Sequence, residues 1–175
     1  MKKFKAFTLV ELMVTLAVFG IIVVMGVPSL TAYTRSNRIV TETNSFVGSI
    51  NFARSEAVKR RGNVSLCQSS DGATCTDSGW QAGWIVFVNT DNDDPAQVDD
   101  GEEILRIYGA ITNNSTLAAS DTFSTSLTYN AKGYASALGE FILCDSSGTG
   151  SARKVEVNRI GRVKLIKGGG SCTPS

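Results

Sequence analysis

The sequence predicts an α+β protein in which one long N-terminal helix, half of it transmembrane, packs on a mostly antiparallel β-sheet. An apolar run extends from Phe7 to Val27, and at about 1.5 Å per residue it spans the roughly 30 Å hydrocarbon core of a bilayer. After Gly62 the helical spacing of apolar residues gives way to short segments between Gly, Asn, Asp and Ser clusters, which are typical of strands and turns.

Charged residues orient the apolar run. Lys2, Lys3 and Lys5 precede it without an acidic neighbour, so the positive-inside rule places the N-terminus in the cytoplasm and the bulk of the chain across the membrane. Glu11 is the only charged residue in the run, and a carboxylate there costs about 2 to 3 kcal/mol on insertion scales. A signal peptide or plain anchor is the alternative, but residues 26–29 form a poor cleavage site for a secretory signal.

The sequence KAFTLVEL at positions 5–12 resembles the class III signal of type IV prepilins and pseudopilins. The resemblance implies that a prepilin peptidase cuts between Ala6 and Phe7, that Phe7 is then N-methylated, and that the helix stays as the filament core. It also implies that Glu11 pairs with the terminal amine of a neighbouring subunit, which would offset the desolvation of the carboxylate. Ala6 stands where the family usually has Gly.

The helix is predicted to continue past the membrane to about residue 61. Lys59, Arg60 and Arg61 suit the last turn of a helix, and Gly62 suits a left-handed cap; we interpret these bases as helix-end electrostatics rather than as a binding patch. Residues 51–60 resemble the end of the helix in the minor pilins FimT, FimU and GspH. The apolar stripe with helical spacing consists of Ile39, Phe46, Ile50, Ala53 and Ala57.

Short apolar segments after Gly62 predict the strands. The polar segment 113–126 is predicted to be a loop. The candidate strands are 64–67, 84–88, 104–108, 127–129, 141–144, 155–157 and 162–166.

The even number of cysteines, 4, fits disulfides in an oxidising compartment. Sequence alone allows three connectivities, of which we favour Cys67–Cys75, closing a short loop, and Cys144–Cys172, tying the C-terminal tail to the sheet. Zinc is the alternative, but the spacing contains no C-x₂-C pair and the chain has no histidine.

The absence of histidine also removes Ser-His-Asp and Cys-His nucleophiles and HExxH zinc sites, so we predict no enzyme, no catalytic residue and no cofactor. The acidic segment 91–103 contains oxygen ligands of the kind that Ca²⁺ takes, but Pro95 and Ala96 do not fit the EF-hand pattern. We therefore predict a solvated acidic hairpin and no metal site, with calcium as the alternative. The segment also resembles the acidic turn of GspH and FimT proteins.

The C-terminal region is basic. Arg162 and Lys164 alternate and so point to the same face of a strand, with Arg159 before them and Lys167 after them. Such a face, beside the glycines 168–170, can contact DNA phosphates without reading bases. The alternative is a solvated edge strand whose charges prevent aggregation.

The sequence GRVK at positions 161–164 is similar to the G-R-x-R motif of FimT-like minor pilins, which implies non-specific binding of double-stranded DNA during natural transformation. Lys164 replaces the second Arg and loses bidentate geometry. FimU-like pilins, which prime pilus assembly, carry similar segments.

The resemblances together imply a minor type IV pilin with a leader at 1–6, a membrane helix at 7–28 and a periplasmic domain at 29–175. Its expected partners are other major and minor pilins, the prepilin peptidase and the bacterial inner membrane, from which it would pass into the pilus or its tip. The alternative is a minor pseudopilin of a type II secretion system.

Overall fold

The computed structural model of the protein describes residues 8–111, 115–145, 152–168 and 172, and for residues 24–29 and 31–32 it describes the backbone only. The chain divides into two compact units, Met1–Asn37 and Arg38–Ser175. The predicted leader, which ends at Ala6, and the predicted methylation site Phe7 lie outside the described residues.

Helix α1 runs from Leu9 to Arg60, close to the predicted end at residue 61. At its C-terminus Gly62 N–H donates to Ala57 O at 3.2 Å and Arg61 N–H donates to Val58 O at 3.3 Å, the pair of bonds that defines a Schellman motif. The left-handed residue of this cap is Arg61, with φ 57°, and not Gly62 as predicted. The helix ends at Arg60, so Arg61 is the residue that follows it and takes the left-handed conformation.

The strands form two four-stranded antiparallel sheets, with orders β3-β2-β1-β5 and β4-β6-β7-β8, rather than the single sheet that the sequence suggested. The strands are β1 Asn63–Gln68, β2 Trp84–Asn89, β3 Ile104–Tyr108, β4 Thr116–Ala119, β5 Ser126–Tyr129, β6 Gly139–Cys144, β7 Arg153–Val157 and β8 Val163–Lys167.

The prediction of a loop at 113–126 was wrong, because this segment contains β4 and a 3₁₀ turn, Asp121–Phe123. Leu117 of β4 and Phe123 of the turn are buried, and the Phe123 ring stacks on Phe141 with centroids 5.2 Å apart. Two buried apolar side chains are too few to produce a recognisable period of 2 in the sequence.

The C-terminal part of α1 and both sheets share one core. The predicted helical stripe is confirmed, since all of its members are at most 1% exposed. Phe46 is at the centre, with its ring centroid 5.0 Å from Trp84 of the first sheet and 4.7 Å from Phe141 of the second. Both contacts are edge-to-face, which aromatic rings prefer. The helix therefore joins the two sheets through a single aromatic cluster.

A second, smaller cluster covers the other face of the first sheet. Cys67, Ile85 and Phe87 are buried there together with Ala96 of the acidic segment. The apolar residues of this segment thus face the sheet, as expected when a polar loop must cover an apolar surface. The structure contains the disulfides Cys67–Cys75 and Cys144–Cys172, which are the pairs favoured from the sequence.

Candidate functional site

The first candidate site is the N-terminal part of α1. Its large apolar side chains between Leu9 and Ile22 are exposed on every side of the helix. Leu9 is 73% exposed and Ile22 is 62% exposed. The backbone N–H of Glu11 donates to Thr8 Oγ1 at 3.3 Å, an N-cap interaction that satisfies one of the free donors at the start of the helix. Glu11 is therefore placed in the first turn as a single carboxylate on an otherwise apolar surface.

No helix among the described residues is long and apolar enough to cross a membrane. That description leaves out residues 1–7 and the side chains of 24–29 and 31–32.

The second candidate site is the hairpin of β7 and β8, which carries the predicted DNA-binding bases. Arg159 and Arg162 are exposed in the turn, where Arg162 N–H donates to Asn158 Oδ1 at 2.9 Å and Gly161 N–H donates to Asn158 O at 2.8 Å. Lys164 lies in β8, and its side chain is 72% exposed.

The structure does not place all four predicted bases on one face. Lys164 is paired with Glu156 across the strands, whereas Lys167 is paired with Arg153. Because successive side chains of a strand alternate, Lys167 points to the face opposite Lys164. The compact candidate set is therefore Arg159, Arg162 and Lys164.

Acidic side chains share the face of Lys164. Glu140, Glu156 and Lys164 form one row across β6, β7 and β8, and Lys154 Nζ lies 3.1 Å from Glu140 Oε2 and 2.9 Å from Glu156 Oε1. Hydrogen bonds to Glu156 and, to a smaller extent, to Glu140 raise the pKa of Lys154. The hydrogen bond from Lys154 lowers the pKa of Glu156. Lys164 Nζ is 3.9 Å from Glu156. Sequence reasoning missed Glu140 because it lies on a different strand from the basic segment.

A surface groove of about 780 Å³ lies beside the row of Glu140, Glu156 and Lys164. Glu140 and Glu156 line it together with Arg162 and Lys164, and Leu138 contributes apolar surface. A groove with both signs of charge suits a polar partner more than it suits a small apolar ligand. The basic hairpin is consequently less positive than its sequence alone indicates.

The acidic segment brings side-chain oxygens of Asp91, Asp93 and Asp99 within 4.8 Å of one another. Asp93 already accepts hydrogen bonds from Asn89 Nδ2 at 2.9 Å and from Gln97 N–H at 2.8 Å. Burial raises the pKa of Asp93, and the nearby carboxylates act in the same direction. The expectation that this segment holds no metal stays a prediction.

Two family models match the chain. The model described as type II transport protein GspH matches residues 42–161, and the prokaryotic N-terminal methylation motif matches residues 1–27. No curated protein sequence matches the chain significantly.

Solved structures show the same fold. The chain is similar to the type IV minor pilin FimU of Pseudomonas aeruginosa strain PAO1, with a TM-score of 0.62 and 21% identity over 81% of this chain and 99% of that one. It is also similar to EpsH, a minor pseudopilin of the Vibrio cholerae type 2 secretion system, with a TM-score of 0.52 and 9% identity over 74% of this chain and 97% of that one.

Proposed function

This chain belongs to the GspH family of minor pilins and pseudopilins, and from that membership we propose that it is a minor type IV pilin that joins or primes a pilus. The observation that carries the proposal is the N-terminal helix, whose apolar side chains are exposed on every side around Glu11. A helix that is apolar all round is stable only when lipid or other helices cover it.

The proposed life of the subunit has two stages. Before assembly, the apolar run from Phe7 to Val27 holds the chain in the bacterial inner membrane, with the domain in the periplasm. After the prepilin peptidase cleaves between Ala6 and Phe7 and Phe7 is methylated, the same surface packs against the helices of other pilins. Glu11 then pairs with the terminal amine of a neighbour, because a carboxylate in an apolar filament core needs a cation.

Mass spectrometry of the chain purified from its parent bacterium tests the first stage. We expect a mature N-terminus at Phe7 that carries one methyl group. An Ala6→Arg variant should stay uncleaved and should be absent from sheared pili, whereas Ala6→Gly should be processed like the wild type. An uncleaved wild-type chain would contradict the proposal.

A strain that lacks the gene distinguishes a role in a pilus from a role in a secretion system. The same strain complemented with the wild-type chain is the control. Loss of pili and twitching supports the pilus role. Loss of exoprotein release with normal piliation would support the alternative, a minor pseudopilin of type II secretion, and would overturn the pilus proposal.

A second function, DNA binding, is supported by the exposed Arg159, Arg162 and Lys164 at the end of the β7–β8 hairpin. Glu156 lies close to Lys164, so we expect weak, salt-sensitive binding to phosphates rather than recognition of bases.

A salt series of duplex-DNA binding by the full chain in detergent tests this function. Arg162→Gln with Lys164→Gln should weaken binding and reduce the salt slope by about 1.8, since each neutralised phosphate contributes about 0.9. Arg35→Gln with Arg38→Gln removes the same charge from exposed positions of α1 and serves as the control. No binding by the wild type at low salt would refute DNA binding and leave the pilin role intact.

A further inference from the structure

Arg54 of α1 connects two surface loops that are far apart in sequence. Its Nε donates to the carbonyl oxygen of Gly133 at 3.0 Å, and its Nη2 donates to the carbonyl oxygen of Ile160 at 3.0 Å. One guanidinium therefore holds the loop that follows β5 and the turn between β7 and β8. The rigid fork of Arg makes the two bonds from two separate nitrogens, whereas Lys carries all of its donors on one nitrogen and lacks this fixed geometry.

The two loops touch directly where Arg54 binds them. A Cβ at Gly161 would collide with the carbonyl oxygen of Gly133 and would lie 2.8 Å from Arg54 Nε, and Gly161 has φ +76°. Both the left-handed conformation and the close approach require glycine. Ala135 N–H donates to Arg159 O at 3.1 Å, which adds a backbone bond between the loops.

This contact brings a third base to the turn of the hairpin. Lys132 is exposed and adjoins Gly133, while Arg162 is exposed and adjoins Gly161. Lys132 and Arg162 are therefore each next in sequence to one of the two glycines that meet in this contact. Lys132 was not among the residues that the sequence indicated, since strands β6 and β7 separate it from Arg162 along the chain.

We propose that Arg54 is a positioning residue that joins these loops into one surface, on which Lys132, Arg159 and Arg162 together contact the phosphates of a nucleic acid. The inference rests on the proposed DNA-binding function and adds to it one contact residue, Lys132, and one residue that acts through others, Arg54. A surface that is already ordered loses less conformational freedom when it binds than two independent loops would lose.

Hydrogen exchange of the full chain in detergent tests the role of Arg54 without DNA. In Arg54→Lys, which keeps the charge, the amides of Ala135 and Gly161 should exchange about tenfold faster, because local opening costs less once the clamp is gone. The amide of Leu66 in β1 should be unchanged and reports that the core is folded. Arg38→Gln, on an exposed face of the same helix, is the control and should change none of them.

Unchanged exchange at Ala135 and Gly161 in Arg54→Lys would overturn the positioning role. If the Leu66 amide also loses protection, Arg54 supports the whole fold rather than these loops, and the inference is likewise overturned.

Binding to a duplex of about 20 base pairs in a salt series tests the surface. Lys132→Gln should weaken binding and reduce the salt slope by about 0.9, the contribution of one phosphate contact. Arg54→Lys should weaken binding severalfold although it keeps the charge, whereas Arg38→Gln should match the wild type. If the wild type binds and Lys132→Gln matches it, the composite surface is wrong and the DNA function stands. If the wild type does not bind at low salt, the DNA function itself fails, and the exchange data still decide whether Arg54 joins the loops.

Discussion

Tyr129 lies buried beneath the turn that carries Arg162. The residue is 0% exposed, and its Cε1 would be 3.0 Å from a Cβ at Gly161. Its hydroxyl has no hydrogen-bond partner among the described residues, and burial raises the pKa of the phenol far above its usual range. An unsatisfied buried hydroxyl costs about 1 to 3 kcal/mol, so this side chain packs well but leaves a polar atom uncompensated.

Tyr129→Phe should therefore stabilise the domain by about 1 kcal/mol, because it removes the hydroxyl and keeps the ring. Thermal unfolding should show a rise in Tm of about 2 to 4 °C for a chain of this size. Tyr134→Phe, at a residue that is 47% exposed, is the control and should change little. A lower Tm for Tyr129→Phe would mean that the hydroxyl is bonded in solution.

Asp71 organises the loop that the Cys67–Cys75 disulfide closes. Its carboxylate accepts hydrogen bonds from the backbone N–H groups of Thr74 and Ala73, both at 2.9 Å, and from the hydroxyls of Thr74 and Ser69. These bonds favour the charged form and hold the pKa of Asp71 well below its usual range. The ionised carboxylate thus stabilises the folded loop.

The sign of the resulting pH dependence follows from the lowered pKa. The contribution of Asp71 is fully present above the unfolded-state pKa of about 3.9 and is lost as the pH falls below it. Asp71→Asn should therefore have a lower Tm than the wild type at pH 7, and the difference should shrink below about pH 4. A difference in Tm that stays constant between pH 7 and pH 3 would contradict this role.

The two disulfides each fasten a loop or a terminal segment to a strand of the sheets. Cys67–Cys75 has a sequence separation of 8 and secures the loop after β1, whereas Cys144–Cys172 has a separation of 28 and ties the segment after β8 back to β6. Closing a longer loop removes more entropy from the unfolded chain, about 3.6 kcal/mol compared with about 2.6 kcal/mol for the shorter loop.

Replacing each pair with alanine measures this difference. Cys144→Ala with Cys172→Ala should lower the free energy of unfolding by about 1 kcal/mol more than Cys67→Ala with Cys75→Ala. Denaturant unfolding of both double variants and of the wild type provides the comparison. The reverse order would show that the packing of Cys67 beside Ile85 and Phe87 outweighs the entropy of the loop.

The two compact units of the molecule differ in how their apolar side chains are covered. The unit Arg38–Ser175 buries apolar residues around Phe46, whereas the large apolar side chains that the structure describes in the helix of the unit Met1–Asn37 are exposed. The stability of the unit Arg38–Ser175 therefore depends on its own core. The exposed apolar side chains of the unit Met1–Asn37 must be covered by lipid or by other subunits.

Glu11→Gln should separate these roles. We expect the chain to be made and the Tm of its domain to be unchanged, because Glu11 lies in the other unit. The amount of the chain in sheared pili should fall at least about tenfold, since the variant cannot form the proposed ion pair with a neighbour. Immunoblots of pili and of membranes measure both quantities.

Asp77→Asn, an exposed carboxylate of the domain, is the matched control for this experiment. Normal incorporation of Glu11→Gln would contradict the assembly role of the carboxylate.

Features that depend on a local pattern could be predicted from the amino-acid sequence. The long helix, its apolar stripe and the β1, β2 and β3 strands follow from period and composition, because a helix face or an alternating strand is written in consecutive residues. The family resemblance likewise rests on contiguous motifs at the N-terminus and in residues 51–60.

Features that depend on neighbours from distant parts of the chain could be seen only in the folded protein. The division into two sheets and the inclusion of β4 follow from the pairing of strands. Glu140 reached the basic face, and Arg54 reached Gly133 and Ile160, through contacts between separate elements. Burial and pairing of side chains are properties of the assembled core, so no local pattern contains them.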